Sequence, residues 1–287
     1  MSGYAEGILA IMALNIITAY AAYLPLSAGQ LNLGVAGFMA IGAYSAAFLG
    51  NEFQWPIVAT VAAGSCVAGL IGILIGYPIL RARGIYLVLA TLAFGELVRT
   101  GLLNLDVVGA AAGYPVKGYV SYWVICLVAA GVVVLVAWLT YTPLGLAMMA
   151  VRQDEIAAEQ FGVSVRNTKA VAFGIGAILA GLAGALYAHH FSYIEAQRFN
   201  VVASVYVAMY VLLGGIQTVA GPLIGAVFFT LLPEVFRGSE TWRFVIFALV
   251  LILTMMWRPE GLIDRDLIEA ARRRLSAVWK RLRTRCA

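Results

Sequence analysis

The feature that most constrains this sequence is a series of apolar runs, each about long enough to cross a lipid bilayer. A membrane-spanning helix needs about 20 predominantly apolar residues, and such runs recur along almost the whole chain. Only 11% of the 287 residues are charged, against about a quarter in soluble domains. The sequence therefore predicts an all-α protein, a polytopic bundle of transmembrane helices. The apolar runs lie at 5–26, 33–50, 56–80, 84–105, 119–141, 168–190, 201–218, 220–236 and 243–257.

Three of these runs, 33–50, 201–218 and 220–236, are short and rich in glycine. Non-helical backbone is tolerated at membrane depth only where protein buries it or where it lines a water-filled cavity. We therefore expect eight or nine crossings, with broken or re-entrant helices among them. Nine crossings place the N-terminus outside and the C-terminus inside, and this topology satisfies the positive-inside rule.

Small residues recur every four positions along two of the runs. Such stripes let the backbones of neighbouring helices approach closely, which is how membrane helices pack without a hydrophobic force between them. The stripes therefore predict close helix packing rather than a substrate site. They consist of Gly64, Ala68, Gly72 and Gly76 in the third run, and of Ala177, Gly181 and Ala185 in the sixth.

The transmembrane domain is expected to cover residues 1–257 and to be followed by a basic tail, 258–287. This tail contains nine Arg or Lys and four Asp or Glu residues, which accounts for the whole formal net charge of +5. A basic segment beside the last span indicates a cytoplasmic C-terminus close to anionic lipid headgroups, and not a nucleic-acid partner. A tail that is merely solvated is an equal alternative.

A charged segment, RQDEIAAEQFG, interrupts the apolar pattern at 152–162. Thr142, followed by a proline, is typical of a helix start. Asp154 is placed to cap a second, short helix, and Gly162 is placed to end it in the left-handed conformation. The sequence therefore predicts a cytoplasmic loop at 142–167 that contains a short helix.

This short helix combines apolar and charged side chains in a pattern that suits docking into the groove of a partner protein. An ordinary loop helix with a solvated face is the alternative. The residues of the predicted docking surface are Arg152, Asp154, Glu155, Ile156, Ala157, Ala158, Glu159, Phe161 and Gly162.

The segment GLAMMAVRQDEIAAEQFGVSVRNTKAVAFGIGAILAGLAGALYA resembles the cytoplasmic loop and following helix of ABC importer permeases for branched-chain amino acids. Those permeases carry an EAA motif, with an acidic residue, two small residues and, four positions after the second, a glycine. The matching positions are Glu155, Ala157, Ala158 and Gly162, with Ile156 inserted relative to the simplest form. The segments LSAGQLNLGVAGFMAIGAYSAA, RARGIYLVLATLAFGELVRTGL and LLGGIQTVAGPLIGAVFFTLLPE extend the resemblance over nearly the whole chain, and the second is typical of the LivM branch.

The resemblance implies the fold of a type II ABC importer permease in the bacterial inner membrane. It also implies a second permease subunit in a heterodimer, two cytoplasmic ATPase subunits that bind ATP and Mg²⁺, and an extracytoplasmic solute-binding protein. The EAA-type helix would be the coupling helix, held in a groove of one ATPase. The implied substrates are leucine, isoleucine and valine, with urea or short amides as the alternative within the family.

The sequence contains no G-x-x-x-x-G-K-[ST] phosphate-binding loop, and none of its three lysines follows a glycine. Nucleophile-elbow and zinc-protease motifs are not found either, which disfavours a membrane enzyme. We therefore expect no catalytic residues and no cofactor on this chain, with ATP hydrolysis on a separate subunit.

Five residues within or beside the apolar runs are candidates for the substrate pathway. Glu96 and Arg99 lie three residues apart on one face of a helix, and charges within a membrane by default face the bundle interior. A structural ion pair is the preferred interpretation of these two residues. Gln30 and Asn32 are expected at a helix break, and Tyr44 would offer an aromatic wall, although these three could equally stabilise the bundle.

Two adjacent histidines, His189 and His190, end the sixth run. Neighbouring side chains on a helix point in different directions, so we expect interface histidines and no metal site.

A transporter that works without ATP is the alternative from another class of protein. Such a transporter is expected to hold several carboxylates within its spans as a site for the coupling ion. Glu96 is the only clear candidate for such a carboxylate, so this alternative is weak.

Overall fold

A computed structural model of the chain describes residues 3–82, 84–235 and the isolated positions 245, 249, 252, 253 and 256. Within this part the chain is almost entirely helical. The helices are α1 Gly3–Ser27, α2 Val35–Glu52, α3 Ile57–Ile79, α4 Ile85–Leu103, α5 Tyr122–Thr140, α6 Pro143–Gln153, α7 Glu155–Gln160, α8 Val165–Phe191, α9 Val201–Gly214 and α10 Ala220–Val235. Two short strands, β1 Tyr114–Pro115 and β2 Tyr193–Ile194, and three 3₁₀ turns, Asp106–Val108, Ala110–Ala112 and Ala196–Arg198, complete the described elements.

Each of the first eight predicted runs corresponds to one long or intermediate helix, which confirms the helical fold class. Among the described helices, five are long and apolar enough to cross a membrane, namely α1, α3, α4, α5 and α8. The prediction of eight or nine crossings stays a prediction, because α2, α9 and α10 are shorter or less apolar. The ninth run, 243–257, apart from its isolated positions, and the basic tail, 258–287, lie outside the described residues.

Helix α8 forms the centre of the bundle and packs against α1, α2 and α3. Glycines allow the backbones to touch: a Cβ atom added to Gly64 of α3 would lie 2.6 Å from the carbonyl oxygen of Gly42 in α2, and one added to Gly176 of α8 would lie 2.6 Å from that of Ala21 in α1. Gly72 of α3 faces Ala177 of α8. The predicted small-residue stripes are thus confirmed as packing surfaces.

The two strands mark one end of the bundle. They pair antiparallel, with Tyr114 opposite Ile194 and Pro115 opposite Tyr193, and so join the loop between α4 and α5 to the end of α8. The Asn51 side chain at the end of α2 donates to the Pro115 carbonyl oxygen at 2.7 Å. We call this end the strand face, and the opposite end, where α6 and α7 precede α8, the α7 face.

Helices α9 and α10 form a short antiparallel pair. At 14 residues, α9 is about 21 Å long, well below the roughly 30 Å of the hydrocarbon core. Gly214 lies directly against Gly221, and Gly225 against Tyr210, so the two backbones are in contact. The predicted run at 201–218 is interrupted at this point, because the helix ends at Gly214 and the chain turns before Ala220.

A substitution at the α2–α3 contact should test how much this packing contributes. Gly64→Val would place side-chain atoms against backbone, which cannot move aside, so we expect a loss of about 2 kcal/mol or more in the free energy of unfolding. Thermal unfolding of the detergent-purified protein measures it. The control is Gly131→Val on α5, where an added Cβ meets nothing within 4 Å; equal losses in both variants would contradict this account of the core.

Candidate functional site

The predicted cytoplasmic loop contains two helices separated by one extended residue. Asp154 leaves α6 with φ −156° and ψ 113°, and its side chain accepts hydrogen bonds from the N–H groups of Ile156 at 2.9 Å and Ala157 at 3.1 Å. Gly162 has φ +82° and closes the last turn through a bond from its N–H to the Glu159 carbonyl oxygen. The predicted cap and the predicted glycine terminus of α7 are therefore confirmed.

The two sides of α7 differ in exposure. Ala158 is buried against Val151 and Val165, so it belongs to the core of this chain. Ile156 and Phe161, in contrast, are 72% and 88% exposed. The outward-facing apolar surface thus consists of Ile156 on α7 and of Phe161 directly after it. The second alanine of the EAA-like motif allows α7 to lie close to α8.

An ion pair joins the beginning of α7 to α8. Lys169 Nζ, on the first turns of α8, lies 2.5 Å from Glu155 Oε1. Together with the Asp154 cap, this contact holds a six-residue helix that is too short to be stable alone. The exposed side chains of α7 are therefore presented on a pre-ordered support.

Arg152 points away from the predicted docking surface. Its Nη1 atom donates to the carbonyl oxygen of Ile216, in the turn between α9 and α10, at 3.2 Å. A cavity of about 330 Å³ lies beside this bond, between α1, α6 and the turn, and its lining includes Tyr23, Ser27 and Gln217. Sequence reasoning missed this contact because the acceptor is a backbone atom without a side-chain signal.

Glu96 and Arg99 form the predicted ion pair on α4. Arg99 Nε and Nη2 each lie 2.7 Å from Glu96 Oε2. The other carboxylate oxygen, Oε1, accepts a hydrogen bond from the N–H of Val201, the first residue of α9, at 3.1 Å. A carboxylate at this point satisfies an otherwise unpaired N–H and complements the positive end of the helix dipole. Glu96 therefore anchors the beginning of α9.

The connection between α1 and α2 holds the next two candidates, as predicted. Asn32 Oδ1 accepts from the Gly34 N–H at 2.8 Å, and the Leu33 N–H donates to Thr91 Oγ1 on α4 at 3.1 Å. Gln30 is 1% exposed, and its side-chain amide has no hydrogen-bond partner within the described residues. The helix break is thus buried in protein, which is the condition for non-helical backbone at membrane depth.

Tyr44 is buried on α2, toward the strand face, in a cluster with Val116, Ile194 and Phe199. None of the five pathway candidates lines the 330 Å³ cavity. The structure therefore distributes these residues over the α1–α2 break, the α4–α9 contact and the strand face, and does not bring them into one site.

The two histidines lie at the strand face. His189 Nε2 is 2.9 Å from Thr60 Oγ1. His190 Nδ1 is 2.9 Å from the carbonyl oxygen of Val120, and its ring stacks on Tyr119 with 5.6 Å between centroids. Among the described residues, no three His, Cys, Asp or Glu side chains are grouped so that they could hold a metal ion.

These features define a multi-pass membrane protein that presents a small, capped helix at one end of its bundle. The family model described as branched-chain amino acid transport system / permease component matches residues 4–256, and the chain belongs to this family. The high-affinity branched-chain amino acid transport permease LivM of Escherichia coli K12 is 32% identical over 82% of this chain and 64% of the relative. LivM of Salmonella typhimurium LT2 is 33% identical over the same shares.

The chain is also similar, at lower identity, to a permease named for a different substrate. The ribose import permease RbsC of Escherichia coli K12 is 25% identical over 84% of this chain and 81% of the relative. The chain spans about 64% of the length of the LivM relatives described above. No solved structure matches this chain.

Removal of the Glu96 carboxylate should loosen the beginning of α9. We expect Glu96→Ala to lower the free energy of unfolding by about 2 kcal/mol, because it removes a charge-assisted hydrogen bond and leaves Arg99 unpaired. Thermal unfolding of the detergent-purified variant measures this loss of stability. The matched control is Glu195→Ala, which breaks a more exposed Arg–Glu pair of the same spacing, at 3.5 Å; we expect that change to cost less than about 0.5 kcal/mol. A loss as large in the control would contradict the anchoring role.

Proposed function

We propose that this chain is a permease subunit of an ATP-driven importer that takes up branched-chain amino acids. A solute-binding protein outside the membrane delivers the substrate, and two ATPase subunits bind ATP and Mg²⁺ on the cytoplasmic side. The chain itself is not an enzyme. It pairs with a second permease subunit in a heterodimer of the type II importer class, in the bacterial inner membrane.

The observation that carries this proposal is the apolar surface of α7. Two large apolar side chains are exposed here, Ile156 of α7 and Phe161 directly after it, on a helix that is capped by Asp154 and paired with Lys169. Exposed apolar side chains surrounded by charge mark a site for a protein partner. The order of α7 matters for this function, because a moving partner can displace the permease only through a helix that keeps its position relative to α8.

The substrate class rests on the family and on the scarcity of charge in the bundle. A branched aliphatic substrate needs no fixed counter-ion along its path, and weak binding inside the permease favours release. Leucine, isoleucine and valine are therefore proposed, with urea or short amides as the alternative. The similarity to a ribose permease supports a translocation route that is selective mainly through the delivering protein.

The proposed orientation of the chain in the membrane follows from the position of α7. An ATPase partner requires the α7 face to be cytoplasmic, and α1, which contacts α8 antiparallel, then begins at the outer side. The C-terminus is proposed to be cytoplasmic, with the basic tail at anionic lipid headgroups.

Assembly and transport test the proposed function directly. The chain, extracted in mild detergent, should co-purify with an ATPase and a second permease, as identified by mass spectrometry. The reconstituted complex should take up radiolabelled leucine, isoleucine or valine only with ATP and the loaded binding protein, whereas a non-hydrolysable ATP analogue should not support uptake. Uptake by the chain alone, without ATP, would instead identify an ATP-independent transporter.

Substitutions on α7 test the docking surface. Ile156→Ser together with Phe161→Ser should reduce the amount of co-purified ATPase at least about ten-fold, since each buried large apolar side chain contributes about 1.5–3 kcal/mol at an interface. Gln160→Ala on the same helix is the control and should leave the ATPase bound. Because both serine positions are exposed, the thermal stability of the free chain should be unchanged. Full retention of the ATPase by the double variant would refute this docking surface.

A further inference from the structure

Arg152 connects the loop that carries α7 to the two short helices, α9 and α10. It is the second-last residue of α6, and its guanidinium reaches across to the Ile216 carbonyl oxygen at 3.2 Å. This acceptor lies two residues beyond the end of α9, where the negative end of the helix dipole favours a cation. The bond therefore combines a charged donor with a backbone carbonyl of the turn that follows the short helix.

The α9–α10 pair is packed backbone to backbone. Contacts between Gly214 and Gly221, and between Gly225 and Tyr210, bring the two backbones together without intervening side chains. Close-packed backbones of this kind cannot slide independently. A force on the turn between them is therefore passed to both helices, and along α9 to its other end at Glu96.

The turn at 215–219 is held at its two ends by different helices. Tyr20 on α1 donates its hydroxyl hydrogen to the Val219 carbonyl oxygen at 2.7 Å, whereas Arg152 on α6 holds Ile216. The cavity of about 330 Å³ separates α1, α6 and the turn next to Arg152. The Arg152 bond thus ties the turn to α6 across a gap, and a displacement of α6 relative to α1 has room to rotate the turn.

The same residue also lies close to the break between α1 and α2. Gly29 has φ +79°, and a Cβ atom added there would lie 3.5 Å from the Arg152 Cα atom. The connection between α1 and α2 and the turn between α9 and α10 therefore both lie next to Arg152. Because only one extended residue separates α6 from α7, a movement of α7 also displaces Arg152.

We propose that Arg152 is the positioning residue that transmits movement of α6 and α7 to α9 and α10. This inference rests on the proposed function, in which an ATPase moves α7. When α7 moves, α6 carries the Arg152 guanidinium with it, and the turn at 215–219 follows. The α9–α10 pair then pivots as one body about the beginning of α9, which Glu96 of α4 holds in place.

Three preparations of the reconstituted complex test it: wild type, Arg152→Ala, and the control Arg166→Ala. The Arg166 guanidinium lies 4.0 Å from the centre of the Tyr77 ring, at the α3–α8 contact near the α7 face, so its removal deletes the same chemical group without touching the turn. For each preparation, co-purified ATPase, ATP hydrolysis and substrate uptake are measured. We expect Arg152→Ala to retain the ATPase but to take up at least about ten-fold fewer substrate molecules per ATP hydrolysed, while Arg166→Ala matches wild type.

A distance measurement separates transmission from a merely structural role. Nitroxide labels on Tyr141→Cys, at the end of α5, and Leu231→Cys, on α10, both exposed positions, report movement of the α9–α10 pair in a background without the native cysteines. We expect their distance to change on nucleotide binding in the wild-type complex and to stay constant in Arg152→Ala.

The possible outcomes are distinct. An unchanged uptake-to-ATP ratio in Arg152→Ala, or a label distance that responds to nucleotide as in wild type, would overturn the inference. Loss of the ATPase from Arg152→Ala would also overturn it, because Arg152 would then belong to the docking surface. A wild-type complex without ATP-driven uptake would instead refute the proposed function, and this inference with it.

Discussion

The structure depends on the requirement that backbone hydrogen-bonding groups inside a membrane find partners within the protein. Continuous helices such as α8 meet this requirement alone, whereas an interrupted helix exposes N–H and C=O groups that lipid cannot satisfy. Three interruptions in the described part of the chain each have a specific polar partner. Thr91 accepts from the α1–α2 connection, Glu96 accepts from the beginning of α9, and Arg152 donates to the turn after α9. These three polar side chains are thus placed where the helices begin, end or break.

Close packing at the centre complements these polar contacts. The breaks are buried only because α1, α2 and α3 lie against α8 with glycine and alanine at the contacts. Between membrane helices there is no hydrophobic driving force, so stability depends on the number of van der Waals contacts that close approach allows. A bundle built in this way can bury an amide such as Gln30, which is 1% exposed, at a depth that lipid would otherwise reach.

Much of this architecture could be predicted from the sequence, because its signals are local. Apolar runs give the helices, the Asp154 carboxylate and Gly162 give the bounds of α7, and the small-residue stripes give the packing faces. Long-range partners could not be predicted in the same way. The acceptor of Arg152 is a backbone oxygen 64 residues away, and the partner of Glu96 is a backbone N–H 105 residues away. The inward position of Ala158 depends on how α7 folds back on α8, which a pattern of small residues does not specify.

The placement of charge also bears on the choice between the two classes of transporter. An ATP-independent transporter coupled to an ion needs carboxylates that can exchange protons or cations along the path. Glu96, the clear candidate for that task in the described spans, uses one oxygen for Arg99 and the other for Val201. An ion that displaced either contact would release the beginning of α9 and leave Arg99 unpaired within the membrane. Since that cost would recur in every transport cycle, the arrangement supports an energy input from outside the bundle, through the loop that carries α7.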